Sequence, residues 1–319
     1  MIRIGICGYG NLGKGVEKAI ELNEDMNLVA IFSRRDIKHR LPVIKIEEIE
    51  KFKEKIDVVI MCGGSKNDLQ NQVPLFAKIY NTVDSFDNHN EIYEYYKKIE
   101  KINRENKTLS LISAGWDPGL FSMARLYSKC ILPKGKTYTF WGKGVSQGHS
   151  NALKEIDGIK DAIEYTIPKE ESIKEIEKGE TIDLTDSEKH LRECYIVLED
   201  GADKKRIENQ IINMKNYFEG YDVIFKYITE EELNEKHNKM PHGGKVISLG
   251  ETSDENTQRI EYSLKLDSNP EFTASVLVSY ARAVYKLSAL GDYGTKTVFD
   301  IPLNLMSIEN NEKIIKEYL

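Results

Sequence analysis

A doubly wound α/β domain followed by a second, α+β domain is the architecture the sequence predicts, on three observations. Short apolar runs alternate with helical patterns through the first third of the chain, a glycine-rich turn stands directly behind the first run, and the pattern changes after Gly115-Trp116-Asp117-Pro118-Gly119. Apolar runs alternating with helices imply parallel strands joined by right-handed crossovers, with helices on both faces of the sheet. The 319 residues also exceed what one hydrophobic core usually serves, since single cores stop growing at ~250–300 residues.

Taken in order, Ile2–Cys7 reads as the first strand and about Asn11–Leu22 as the first helix. Leu28–Phe32 is the second strand. Asp57–Cys62 is a third, its unbroken apolar run marking burial on both faces. A helix around Val73–Ile79, a short strand near Thr82–Val83, a charged helix over about Asn90–Asn106 and a strand at Leu109–Ser113 complete the first domain. Leu120–Leu132 is an apolar helix ended by Pro133. Strand character returns at Thr137–Trp141, Tyr195–Leu198, Val223–Tyr227, Val246–Leu249 and Ile260–Leu266, with charged helices near Lys169–Lys178 and Lys204–Asn216. These are expected to form one open α+β sheet. Pro270 then opens a long helix, Glu271–Leu290, whose Ala and Leu content suits packing back on the first domain. The expected domains are residues 1–118 completed by 270–319, and 119–269 between them.

Composition narrows the function. Hydrophobic residues make up 40% and charged residues 30% of the chain, as in a globular protein with a real core and a wet surface. With 45 basic against 52 acidic residues the net charge is −7, which argues against a nucleic-acid backbone as partner. No apolar run approaches the ~18–20 residues of a membrane span. The chain runs from Met1 straight into a strand and the glycine turn, leaving no room for a signal peptide, so a cytoplasmic protein is expected. Cys7, Cys62, Cys130 and Cys194 stand in apolar contexts with no Cys-x-x-Cys pair. They read as buried, reduced thiols, and no disulfide or metal site is expected.

Gly8-Tyr9-Gly10-Asn11-Leu12-Gly13 is a G-x-G-x-x-G between a strand and a helix, the setting that gives this motif its meaning. Gly8 permits the tight turn, Gly10 lets the backbone approach a pyrophosphate, and Gly13 lets helix and strand pack closely. The helix N-terminus offers free N–H groups to the anion. The first domain is therefore expected to be a Rossmann domain. Cofactor identity is read from the end of the second strand, where an NAD site usually carries an acidic residue for the ribose hydroxyl. Here the chain has Phe32-Ser33-Arg34-Arg35, a hydroxyl and two guanidinium groups suited to a 2′-phosphate, with Asp36 beside them softening the preference. NADP(H) is the expected cofactor. Cys62-Gly63-Gly64-Ser65 and Gly115–Gly119, each at the end of a later strand, would complete the crevice.

Several segments go beyond a generic dinucleotide-binding protein. GYGNLG at 8–13, FSRR at 32–35, VDSFDNH at 83–89, GWDPGLFS at 115–122, FWGKGVSQGHS at 140–150, MPHGG at 240–244 and LDSNPEFTAS at 266–275 occur in this order over nearly the whole chain. Together they resemble the meso-diaminopimelate dehydrogenase family. The resemblance implies an oxidoreductase that carries out reversible, NADP-dependent oxidative deamination of meso-2,6-diaminopimelate at its D-centre. The products would be L-2-amino-6-oxopimelate, ammonia and NADPH, in diaminopimelate and lysine biosynthesis. It also implies a homodimer formed through the second, substrate-binding domain. A dehydrogenase or imine reductase acting with NADP on another amino acid is the alternative.

Carried over motif by motif, the resemblance makes Asp87, Asp117, Trp141, Gln147, Gly148, Thr166, Arg192, His242 and Asn269 the substrate contacts. The cofactor contacts would be Gly8, Tyr9, Gly10, Asn11, Leu12, Gly13, Ser33, Arg34, Arg35, Cys62, Gly63, Gly64, Ser65, Ser85, Phe86, Asp87, Ala114, Gly115, Trp116, Asp117 and Pro118. The residue types suit the chemistry. Arg192 matches a carboxylate with a planar fork of donors, Thr166, His242 and Asn269 add directional hydrogen bonds, and Trp141 offers a flat wall. Asp87 and Asp117 would hold the reacting ammonium, and as close carboxylates one would take its proton before hydride transfer. Closure of the domains around the substrate is expected.

Overall fold

The alternating pattern of the first third folds into a seven-stranded sheet, all of whose pairings are parallel. The computed structural model describes residues 1–215, 217–254 and 256–319. The chain divides into two compact units, Met1–Met123 with Pro270–Leu319, and Ala124–Asn269.

In the first unit, β1 (Ile2–Cys7), α1 (Asn11–Glu21) and β2 (Met26–Phe32) form the opening crossover. β3 (Val43–Ile44), β4 (Val58–Met61), α2 (Gln70–Phe76), β5 (Asn81–Asp84), α3 (Ile92–Asn106) and β6 (Leu109–Leu111) follow, and α4 (Leu120–Ile131) starts in this unit and continues into the second. The strand order β3-β2-β1-β4-β5-β6 reverses direction at β1, as in a doubly wound sheet, and β14 (Gly294–Lys296) is added beside β6. Period-two alternation explains the apolar run of β4. Val58 and Ile60 join the core under α1, while Val59 and Met61 join the core under α2 and α3. The first helix contributes a stripe of Val16, Ala19 and Ile20, spaced for one face.

The second unit contains β7 (Lys136–Trp141), β8 (Gly144–Val145), α5 (Gln147–Lys154), β9 (Ile159–Pro168), α6 (Glu170–Glu177) and α7 (Asp186–Lys189). After these come β10 (His190–Leu198), α8 (Lys204–Ile212), β11 (Asp222–Tyr227), α9 (Glu230–Lys236), β12 (His242–Ser253) and β13 (Asn256–Leu266). The strands make two sheets, β11-β10-β9-β8 and β13-β12-β7, where the sequence suggested one. The parting lies between β7 and β8. Gly142 has φ +109 there, and a Cβ on it would lie 2.1 Å from the Thr166 carbonyl oxygen, so the corner admits only glycine. Strand β9 was not anticipated from the sequence, and β10 begins at His190, before the Tyr195 expected. The second charged helix ends at Ile212; the expected end at Asn216 lies outside the described residues.

The long helix α10 (Asn269–Ala289) begins at the expected place and buries Ala274, Leu277, Val278, Ala281 and Val284 in the core shared with β1 and β4. Arg282 is buried within it, yet each of its three guanidinium nitrogens is hydrogen-bonded. It bonds both Asp25 oxygens at 2.7 Å, Asn23 Oδ1 at 2.6 Å and the Met306 carbonyl at 2.7 Å, as a buried guanidinium requires. The short helices α11 (Leu303–Met306) and α12 (Asn311–Tyr318) end the chain. No described helix is long and apolar enough to cross a membrane. The four cysteines are free, but only Cys7 and Cys194 are buried. Cys62 is half-buried at a strand end, and Cys130 is exposed near the end of α4, against the expectation of four buried thiols. Its apolar neighbour Ile131 is exposed too; on an amphipathic helix an apolar flank does not say which way a residue faces.

Candidate active site

Every residue expected to touch the cofactor lies just beyond the C-terminal end of a strand of the parallel sheet. The glycine turn follows β1, Ser33–Arg35 follow β2, Cys62–Ser65 follow β4, Ser85–Asp87 follow β5, and Ala114–Pro118 follow β6. Because β1, β4, β5 and β6 are successive neighbours, these loops share one edge of the sheet, beside the reversal of strand order where such sheets bind ligands. A Cβ on Gly13 would lie 2.2 Å from the Gly8 carbonyl oxygen, so the helix can sit this close to the turn only with glycine there. A Cβ on Gly10 meets nothing within 4 Å, and Gly10 caps α1 with no side-chain hydrogen bond. Open space at a helix N-terminus in front of the second glycine fits a pyrophosphate.

Arg34 reaches across to Asp68 at 2.6 Å, and the same carboxylate accepts from the Gly64 N–H at 3.2 Å. The Ser33 hydroxyl accepts from the Arg35 N–H at 3.0 Å, and Asp36 is paired with Lys45 at 2.5 Å. Glu17 on α1 draws the loop after these arginines back towards the glycine turn. It accepts from the Tyr9 hydroxyl and pairs with His39 at 3.2 Å and Arg40 at 3.3 Å.

The loops carrying Asp87 and Asp117 are joined by one buried side chain. Asp84, at the end of β5, accepts through Oδ1 from the Phe86 N–H at 2.9 Å and the Ser113 N–H at 3.1 Å. Its Oδ2 accepts from Tyr95 Oη at 2.8 Å. Asp87 is tied in turn by its N–H to Ser65 Oγ at 3.1 Å. Ser113 adopts φ +56 in front of Ala114, a left-handed conformation that costs a non-glycine residue energy. Burial pushes the Asp84 carboxyl up to about 6. A raised folded-state value makes its contribution to stability complete in acid and lost as pH rises through that value. Asp84→Ala leaves two backbone N–H groups without an acceptor, and we expect a loss of about 3–5 kcal/mol of stability. Asp84→Asn keeps an acceptor oxygen and loses far less. Thermal unfolding of both variants checks this, and equal melting temperatures would refute it.

The second unit gathers the remaining expected residues. Arg192 on β10 stands opposite Thr166 on β9, and Thr166 is opposite Gly144 on β8. One Arg192 Nη donates to Thr166 Oγ1, and the guanidinium lies 4.2 Å over the Tyr221 ring. Arg192 Nε is buried with no hydrogen-bond partner among the described residues. The His242 ring lies against Gly144, where a Cβ would come 2.4 Å from its Cγ. Trp141 ends β7 opposite Gly244 of β12, and the Asn269 N–H donates to the Met240 carbonyl at 2.8 Å. Gln147 and Gly148 open α5 behind Ser146. Ser146 Oγ meets His149 Nδ1 at 2.6 Å, and His149 Nε2 faces the Tyr217 carbonyl at 3.1 Å.

A family model described as the diaminopimelic acid dehydrogenase C-terminal domain matches residues 115–268. The meso-diaminopimelate D-dehydrogenase of Ureibacillus thermosphaericus is 51% identical over 100% of this chain and 99% of its own. The chain belongs to the meso-diaminopimelate D-dehydrogenase family. A solved member from Clostridium tetani, substituted at six positions and holding DAP, superimposes with TM-score 0.95 at 49% identity, covering 100% of both chains. An engineered D-amino acid dehydrogenase bound to NADP+ gives TM-score 0.88 at 40% identity, covering 100% of this chain and 99% of that one. As a member of this dehydrogenase family the chain is an oxidoreductase that works with a nicotinamide cofactor.

Within this diaminopimelate dehydrogenase fold, sequence reasoning missed the residues that hold the expected ones in place. His190 stacks on Trp141 with ring centroids 5.2 Å apart, and its Nε2 accepts the Trp141 N–H at 2.8 Å. Its Nδ1 faces the Asp186 carbonyl at 3.1 Å, which assigns the ring proton to Nδ1. Burial lowers the ring to about 4, so the imidazole stays neutral. Asp68, Glu17, Asp84 and Glu164 play similar supporting parts. The one available signal was alternation along β9 and β10, which places Glu164 with Thr166 and His190 with Arg192 once those segments are recognised as strands.

Proposed function

We propose that this chain catalyses the reversible, NADP-dependent oxidative deamination of meso-2,6-diaminopimelate at its D-centre, giving L-2-amino-6-oxopimelate and ammonia. Arg192 carries the reading. It is a buried cation bonded to the Thr166 hydroxyl, with an Nε donor that has no partner among the described residues, and so suited to a substrate carboxylate. The six positions substituted in the DAP-holding relative are a Gln, Thr, Arg, Pro, His and Asn. Gln147, Thr166, Arg192, Pro241, His242 and Asn269 of this chain have the same order and the same spacing, which supports the assignment of Gln147, Thr166, Arg192, His242 and Asn269 to the substrate.

In this reading Arg192, Thr166, His242 and Asn269 hold the polar groups of the substrate, Gln147 and Gly148 donate to a carboxylate, and Trp141 flanks the carbon chain. Asp87 and Asp117 hold the reacting ammonium and take its proton, because the nitrogen must be uncharged as the hydride leaves carbon. The nicotinamide supplies the hydride acceptor when bound. The glycine turn and the strand-end loops hold the cofactor, with Ser33, Arg34 and Arg35 on its 2′-phosphate. A cytoplasmic homodimer supplying diaminopimelate and lysine biosynthesis belongs to the same proposal, and light scattering measures the oligomer.

The test is NADPH formation from NADP+ with the meso, L,L and D,D isomers supplied separately. Turnover confined mainly to the meso isomer is the expected result. Turnover of another amino acid with none of the meso isomer would reassign the substrate. Replacing both Arg34 and Arg35 by Ala is expected to weaken NADPH binding about 10–100-fold, the worth of one or two charge-assisted hydrogen bonds. Unchanged affinity, measured by fluorescence titration, would remove the pair from the phosphate site.

A further inference from the structure

Behind the Arg192–Thr166 pair lies a carboxylic acid that none of these roles uses. Glu164 precedes Thr166 by one full period of β9, so both side chains point to the same face. Across the ladder Thr166 faces Arg192 and Glu164 faces Cys194. Glu164 is 0% exposed. Its Oε1 accepts from Thr166 Oγ1 at 3.4 Å and lies 3.6 Å from Arg192 Nη1, while Oε2 has no hydrogen-bond partner among the described residues. The donors therefore run in series from Arg192 to Thr166 to Glu164. The contact to Arg192 is a single long one, not a bidentate pair, and leaves the guanidinium Nε available.

We propose that Glu164 is a positioning residue for the substrate carboxylate, orienting Thr166 and Arg192 from the buried side and setting, by its own charge, how strongly Arg192 attracts that carboxylate. The proposal rests on the reading that Arg192 and Thr166 bind a carboxylate of the substrate.

The surroundings decide the sign. Burial pushes Glu164 up to about 8 against the pull of Arg192. The groups facing this cluster are Cys194 from β10, His149 from α5 and Tyr221 from the turn before β11, and Arg192 is felt besides by Asp186 of α7 and by His190. Burial keeps the Cys194 thiol protonated and lowers His149 to about 4, so both are neutral and Arg192 is the charge Glu164 meets. Below pH about 8, Glu164 is a neutral acid and takes nothing from the charge that Arg192 presents to the substrate. Above it, an anion already sits beside Arg192, and a second carboxylate binds only if Glu164 takes up a proton.

The experiment is the pH profile of KM and kcat for meso-diaminopimelate in the wild type, Glu164→Gln and Arg192→Met. Wild-type KM is expected to rise about tenfold per pH unit above the Glu164 titration, with no matching inflection in kcat. Glu164→Gln, uncharged at every pH, loses that inflection, whereas a residue of merely structural importance would shift KM at all pH values alike. A Glu164→Gln profile that still inflects like the wild type overturns the proposal. Should Glu164→Gln fail to fold, calorimetry on the wild-type enzyme–NADPH complex decides. Binding of meso-diaminopimelate takes up a proton above the inflection, and no uptake overturns the proposal. Arg192→Met separates the two levels. If it leaves KM near wild type, the carboxylate reading itself fails. If it raises KM while Glu164→Gln keeps the inflection, only the role of Glu164 fails.

Discussion

Asp117→Asn lowers kcat by about 10²–10⁴-fold, the usual worth of a positioned proton acceptor, and leaves NADP+ affinity near wild type. The amino group enters as an ammonium, and no hydride can leave the adjacent carbon until nitrogen regains its lone pair. Asparagine keeps the shape and the acceptor oxygen of aspartate but cannot take that proton. The substitution is a clean one because the turn is held by its backbone. The Gly115 N–H donates to the Pro118 carbonyl at 2.9 Å, the Leu120 N–H to the Gly115 carbonyl at 3.1 Å and the Phe121 N–H to the Trp116 carbonyl at 2.8 Å. Trp116 further packs edge-on against Phe121 at 5.3 Å. The glycine turn and the backbone of the strand-end loops, which the proposal gives to the cofactor, are left in place, so NADP+ affinity is expected to change little. Single-turnover measurements with saturating meso-diaminopimelate check the step directly, with Asp87→Asn alongside. A near-normal rate for Asp117→Asn would give the proton to Asp87 or to water.

The cofactor half of the candidate site could be proposed from the sequence because its geometry is local. A strand, a glycine turn and a helix follow one another without a break, and each further loop announces itself at the end of an apolar run. Ser33, Arg34 and Arg35 could be placed beside the turn because β1 and β2 are neighbours in any doubly wound sheet. The substrate half is different. Thr166 and Arg192 meet through the antiparallel register of two strands, and composition alone recovered only the end of one of them. Glu164, Thr166, His190 and Arg192 share one face with the core residues Ala162, Cys194 and Ile196 further along the same two strands, and these polar residues on a core face hide the strands from the sequence. The family's motifs named Thr166 and Arg192, but nothing in them pointed to Glu164 or His190. Those two stand behind the side chains they touch, and the one spacing rule that reaches them, alternation along β9 and β10, can be read only once those segments are recognised as strands. The arginines after β2 show the same limit. Sequence pairs them with a phosphate, while the fold adds Asp68 as a competitor for Arg34.

Arg192→Met raises KM for meso-diaminopimelate by about 30–1,000-fold, the loss of about 2–4 kcal/mol that follows truncation of a buried, hydrogen-bonded charge facing an opposite charge. Methionine preserves much of the length and the apolar stem, so packing over Tyr221 is largely retained and the effect belongs to the lost charge. The rise in KM comes from the substrate carboxylate losing its cation. Glu164, buried with one oxygen that has no partner among the described residues, also loses the positive charge that partly offsets its burial. Its carboxyl then rises further and stays protonated, which spares the fold an unpaired buried anion. Substrate preference changes for the same reason. A site built to bond a carboxylate rejects analogues without one because its donors are left unpaired, and removing the donor removes that penalty. D-amino acids with apolar side chains should therefore gain relative to meso-diaminopimelate even as turnover of the latter falls. Comparing kcat/KM for meso-diaminopimelate and D-leucine in both proteins measures it. A uniform loss for both substrates would place Arg192 in the framework of the second unit and not on the carboxylate.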